Sequence, residues 1–188
     1  MEITGERTLC EHKATVTRVR SYVDRRGARK SWSYIERRGA QRAVVVAART
    51  GRSGSLVMIR QYRVPFARTL IELPAGLIDA GETPEEAAPR ELAEETGYAG
   101  KVLRVGPEVS SSAGLTTETF FMVEMVVDEE PREPLGRSGS EDIDVFTVSP
   151  GEAQRRLEEW QRAGELLDCK ALLVLEGLAR VPFVGFLS

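Results

Sequence analysis

The stretch TPEEAAPRELAEETG, residues 83–97, constrains the fold most, because it carries both ends of a helix. Thr83 is a good N-cap, Pro84 suits the first turn, and Glu86 completes a capping box. Gly97 suits the position just past the C-terminus. At ~100° per residue, Glu91, Glu94 and Glu95 fall within about a quarter of the circumference. Leu92 falls outside that arc, Ala88 at its edge, and both can pack on a sheet. Glu91 and Glu95, four residues apart, repel each other when ionised. A helix has little structural reason to gather like charge there. A hard divalent cation supplies one, since Mg²⁺ prefers carboxylate and water oxygens and pairs with phosphates. Arg90, four residues before Glu94, is placed to hold that carboxylate, and Gly76 lets the backbone turn tightly just before the acidic face. The plainer alternative is a solvated acidic face with i,i+4 pairing. Pro89 sits mid-helix, where it removes the bond to residue 85 and crowds that turn.

Around this helix the chain alternates as strands do. Residues 14–24 and 31–38 alternate, 42–48 reads as a buried strand, and 55–63 and 69–76 follow. Beyond the helix, 101–109, 119–127 and 143–148 are strand-like, 129–142 is a polar loop, and 150–162 and 167–180 read as helices. Mixed strands with few helices predict an α+β sandwich. The 188 residues suit one generous domain. A net charge of −3 argues against broad nucleic-acid binding. Cys10 and Cys169 lie far apart and His12 is the single histidine, which argues against a Cys/His zinc site. The thiols are expected to be free in a reducing compartment. The N-terminus lacks an apolar stretch of signal-peptide length, and the longest apolar run, residues 43–48, is too short to span a bilayer. A soluble, cytoplasmic protein that binds neither nucleic acid nor membrane is expected.

The segment from Gly76 to Tyr98, GLIDAGETPEEAAPRELAEETGY, resembles the complete Nudix box, with every fixed position filled and Tyr98 in the final apolar slot. Its flank IRQYRVPFARTLIELPAGLIDAGET, residues 59–83, is similar to the ADP-ribose (ADP-sugar) pyrophosphatase branch. The resemblance is clearest from about Trp32 to Asp144. It implies the Nudix fold, a mixed β-sheet sandwiched between helices, over residues 41–188. It also implies an N-terminal antiparallel segment, residues 1–40, that reaches across a homodimer to the partner's site.

The resemblance further implies a ligand set and a reaction. Metal ligands are the Ala75 carbonyl, Glu91 and Glu95, with Glu94 a secondary ligand or orienting group and Glu82 behind them. Arg90 belongs to the same catalytic group. Glu141, in SGSEDID, is the candidate base, with Asp142 in reserve. Trp32 matches an aromatic that stacks on adenine, and no second tryptophan occupies the preceding strand to complete a sandwich. Arg37 and Arg63 match arginines beside the pyrophosphate and ribose, and Glu118 matches a loop acid. For Trp32, Arg37, Arg63 and Glu118 the alternatives are a core or interface ring, surface salt bridges and a solvated loop charge. The implied activity is Mg²⁺-dependent hydrolysis (Mn²⁺ substituting) of ADP-ribose or a related ADP-sugar, giving AMP and ribose 5-phosphate from the former. The competing readings are a hydrolase of another nucleotide sugar such as GDP-mannose, and a non-catalytic ADP-ribose-binding module.

Overall fold

The computed structural model describes residues 1–132 and 142–180. Three strands, β1 (Glu2–Glu11), β2 (Thr15–Val23) and β3 (Arg29–Arg37), form an antiparallel sheet in that order. The β2–β3 hairpin is closed by Asp24, whose carboxylate accepts the N–H groups of Arg26 and Ala28 and pairs with Lys30 at 2.8 Å. Gly27 supplies the positive φ, 79°, that this turn needs. The sequence carries no clear signal for β1, because EITGERTLCE has no buried face: all of it is exposed. Glu6 ties it to its neighbours, accepting from the Tyr34 hydroxyl at 2.7 Å and from Arg20.

The second sheet holds β4 (Arg42–Thr50), β5 (Leu56–Arg63), β6 (Arg68–Glu72), β7 (Ala75–Leu77), β8 (Gly100–Ser110), β9 (Thr119–Val127), β10 (Ile143–Val148) and β11 (Leu166–Leu167). Its main path runs β11-β6-β5-β4-β9-β8, with β10 on β5 and β7 on β4. The sheet is mixed: β4 with β9 and β6 with β11 are parallel, and the other pairs antiparallel. The helices are α1 (Pro84–Thr96), α2 (Ala153–Ala163) and α3 (Cys169–Arg180).

Period-two alternation in the central strands divides the core between the two faces. Val44, Val46 and Ala48 of β4 and Val57 of β5 pack with Ala87, Ala88 and Leu92 of α1. Val45, Leu56 and Met58 point the other way, onto Trp160 of α2 and Ala171, Leu175 and Leu178 of α3. The sheet is thus sandwiched between helices, as the resemblance implies.

Two expectations change. The strand read over 69–76 is two strands, β6 and β7, broken at Leu73-Pro74. Pro74 has no N–H for a ladder, while its carbonyl accepts from Val46 N at 2.8 Å. In addition, the helix read over 167–180 starts at Cys169, because Leu166 and Leu167 add a short parallel strand beside Leu70 and Ile71. The first change positions the site. β4 meets β5 only at Arg49 opposite Leu56, and β7 runs along the other end of β4, opposite Ala43–Val45. The sheet forks there, and Ala75 and Gly76 lie in the fork.

Candidate active site

The helix signals are realised in α1. Thr83 accepts from Glu86 N, Glu86 accepts from Thr83 N at 2.9 Å, and Gly97 closes the helix at φ 74°. The helix runs unbroken through Pro89. Burial of Ala87, Ala88 and Leu92 fixes its rotation, which turns Glu91, Glu94 and Glu95 into a cleft of 520 Å³ at the sheet's fork. Ala43, Val45 and Phe120 give this cleft an apolar patch. Among the described residues, six carboxylates line it (Glu72, Glu91, Glu94, Glu95, Glu118 and Asp168) against three cations, Arg37, Arg63 and Lys170. That excess of negative charge calls for a cation.

Two box carboxylates rest on β7. Glu95 Oε2 accepts the Ala75 N–H at 3.1 Å. Glu91 fills the place of the missing side chain of Gly76: a Cβ there would lie 1.9 Å from Glu91 Cδ. Gly76 is not in the left-handed region. It is glycine for space, not for the tight turn expected from the sequence. Burial pushes the Glu91 carboxyl above the usual carboxylate range, against the opposing pull of Arg90.

Arg90 is committed differently from the expectation. It forms a fork-to-fork pair with Glu82 (both contacts 2.8 Å), donates to Glu91 Oε1 at 2.9 Å and reaches the Leu77 carbonyl at 3.0 Å. Glu94, the partner anticipated from i,i+4 spacing, stands at 3.8 Å and is half exposed. The guanidinium, with a further bond from Asp79 N, holds the Glu82 carboxyl below its ordinary range. Glu82 therefore braces Arg90, and Arg90 braces Glu91.

On the substrate side, Arg37 at the end of β3 donates to Glu118 at 2.9 Å, and Arg63 pairs bidentately with the buried Glu72 at 2.7 and 2.8 Å. Both arginines line the cleft, but Trp32 does not. It lies five residues before Arg37 on an unbroken strand, about 17 Å away and on the opposite face. Its Nε1 donates to the Gly114 carbonyl at 2.9 Å. It lines a separate 360 Å³ hollow with Met1, Ile3, Tyr22, Gly114 and Thr116 among others. Within one chain, Trp32 and the cleft cations do not meet.

Glu141 lies outside the described residues; Asp142 is exposed just before β10. Among the described residues no three acidic, histidine or cysteine side chains converge on one point. The oxygen donors brought to the fork are Glu91, Glu95 and the β7 backbone. Sequence reasoning missed Glu72, Phe120, Asp168 and Lys170. Glu72 sits in the IELPAG motif, where it could have been found; the others reach the cleft only through the tertiary fold.

The site is thus an acidic helix, capped at both ends and laid across a forked mixed sheet. Residues 39–168, more than half of the chain, match the NUDIX domain, and the protein belongs to that family. It is 33% identical to the ADP-sugar pyrophosphatase of Mus musculus, over 98% of this chain and 93% of that one. It is also 33% identical to the ADP-ribose pyrophosphatase of Saccharomyces cerevisiae, over 71% of this chain; the match spans 60% of the yeast protein's length. A crystal structure of an ADP compounds hydrolase shares the fold at a TM-score of 0.73 and 22% identity, with 96% of this chain and 98% of that one covered.

Proposed function

We propose that this protein hydrolyses the pyrophosphate bond of ADP-ribose or a related ADP-sugar in a Mg²⁺-dependent reaction, ADP-ribose giving AMP and ribose 5-phosphate. The observation that carries this reading is the pair Glu91 and Glu95, seated on Gly76 and Ala75 in an acidic cleft. Glu91, Glu95 and the Ala75 carbonyl would hold the metal, with Glu94 beside them. These are hard oxygen donors of the kind Mg²⁺ takes, and Mn²⁺ can take its place. When bound, the ion would supply charge neutralisation and lower the pKa of a water. The chain's own groups do the rest. Arg37 and Arg63 bind phosphate oxygens, for which the guanidinium fork is suited. Arg90 and Glu82 keep Glu91 in place. Glu141 takes the proton of the attacking water, as the resemblance implies.

We assign the described chain to a homodimer with an N-terminal dimer-forming segment, residues 1–40, and a Nudix hydrolase domain, residues 41–188. A three-stranded sheet with little core of its own is marginal, and β1 is exposed throughout. Tyr62, Val64 and Phe66 add exposed apolar surface. In a dimer, Trp32 would serve the partner's cleft, which reconciles its distance from Arg37. Two free thiols, Cys10 and Cys169, support a cytoplasmic location. No described helix is long and apolar enough to cross a membrane.

The test is release of nucleoside monophosphate from ADP-ribose, ADP-glucose, GDP-mannose, NADH and a nucleoside triphosphate, with Mg²⁺ and with EDTA. Fastest turnover of ADP-ribose, abolished by EDTA, is the expected result. Preference for GDP-mannose would keep the metal chemistry and overturn the adenine reading. Tight ADP-ribose binding without hydrolysis would establish the non-catalytic alternative. Glu141→Gln should cost about 10²–10⁴ in kcat, typical of a general base; a loss below about tenfold would remove Glu141 from that role.

A further inference from the structure

We propose that Lys170, in the first turn of α3, is a further substrate-binding residue whose ammonium contacts the phosphate oxygens of the nucleoside diphosphate moiety; this rests on the hydrolase reading above. The position follows from the short strand β11. Leu167 pairs with Ile71, and Asp168 N donates to the Ile71 carbonyl at 3.0 Å. The start of α3 is thereby fixed beside Glu72, the anchor of Arg63. Asp168 then caps the helix, accepting Lys170 N at 2.9 Å. The Lys170 side chain lies over the Phe120 ring, with Nζ 5.4 Å from the centroid. Phe120, in β9, follows two residues after Glu118, the anchor of Arg37, and both line the cleft.

The three cations of the cleft are thus built alike. Arg63 is held by Glu72, Arg37 by Glu118, and Lys170 by Asp168, whose two carboxylate oxygens both lie 2.8 Å from Nζ. An ammonium has three donors. One is directed at Asp168 Oδ2, which leaves donors for a ligand, and Lys170 and Asp168 both line the cleft. A local Asp–Lys pair that served only the helix end would have no need to point into an acidic cavity against an aromatic face. There a cation over the ring gains from its quadrupole. A lysine fits as a point charge on phosphate, complementing the two forked guanidiniums.

The experiment is steady-state hydrolysis of ADP-ribose at saturating Mg²⁺ by wild type, Lys170→Met and Lys170→Arg, with calorimetric binding of ADP and of adenosine. The methionine variant should raise KM by about tenfold or more while kcat stays within about threefold, as expected for a charge-assisted contact made equally in ground and transition states. Arginine should recover most of the loss. ADP binding should weaken in the methionine variant and adenosine binding should not. Unchanged KM and ADP affinity, even with a lowered Tm, would make Lys170 a structural residue and overturn the inference while the hydrolase reading stands. No turnover of any nucleotide sugar by wild type would overturn both. Should the methionine variant fail to fold, Lys170→Gln gives the same readouts.

Discussion

The carboxylate of Glu91 occupies the space that a side chain at residue 76 would fill. The obstructing atom is the far end of a flexible chain, so a methyl group at 76 displaces the carboxylate and leaves the strand intact. Gly76→Ala is expected to lower kcat/KM by about 10²-fold or more, since small misplacements of a reacting group are costly, with Tm within about 2 °C of wild type. Kinetics alongside thermal melting checks this. Equal losses of fold and activity would show that the glycine serves the backbone instead.

Glu95→Gln should abolish most metal-dependent turnover, a loss of about 10²–10⁴ in kcat at saturating Mg²⁺, because an amide oxygen is a weaker donor to a hard cation. An amide can still accept the Ala75 N–H, so the melting temperature should change little. Near-wild-type turnover at high Mg²⁺ would remove Glu95 from the ligand set.

Arg90→Met leaves Glu82 and Glu91 without their shared cation. The arginine's own pKa is raised by Glu82 first and Glu91 next, so the network stabilises the charged forms of all three. Leaving partly buried carboxylates unpaired is expected to cost about 1–3 kcal/mol, which is several degrees of Tm at about 2–4 °C per kcal/mol for a chain of this size. The Glu91 carboxyl, already raised by burial, should rise further. Calorimetry and an NMR titration of the carboxyl would measure both effects.

The β2–β3 hairpin should be acid-sensitive. Asp24 is depressed from 3.8 to about 2, chiefly by Lys30 and then by the Arg26 and Ala28 amides. A depressed carboxyl stabilises the fold above its unfolded pKa and loses that contribution as pH falls through the folded value. The hairpin's contribution should therefore be full above about pH 4 and fade toward pH 2. Asp24→Asn should flatten that part of the acid profile. An unchanged profile, followed by amide shifts of residues 24–30, would refute it.

Trp32→Ala should raise the KM for ADP-ribose and leave Mg²⁺ dependence untouched. Light scattering of the wild type should give twice the chain mass. A monomer that is fully active would separate Trp32 from the adenine site, because strand β3 carries it away from Arg37.

Much of the site was readable because α1 is a local object. Thr83, Glu86 and Gly97 set its ends, and Ala88 and Leu92 set its rotation, so the directions of Glu91, Glu94 and Glu95 followed. Helix spacing places Arg90 beside Glu94, and that contact is kept at 3.8 Å; Glu82, a loop residue outside the spacing, adds a closer bidentate partner that spacing does not reveal. Gly76 was read through backbone freedom, although its neighbour across the fork decides it. Lys170 and Asp168 were illegible because a two-residue strand brings them to the cleft, and no periodicity marks so short an element. The exposed strand β1 was illegible for a related reason, having no buried face to write a pattern.

At Ala75 the N–H bonds a glutamate instead of joining a strand-to-strand ladder. One carboxylate thus completes the architecture and is also assigned to the chemistry. Selection acting on thermal endurance and selection acting on turnover would then press on the same side chain. A substitution that satisfied the backbone more firmly at residue 95 would harden the fold at the enzyme's expense.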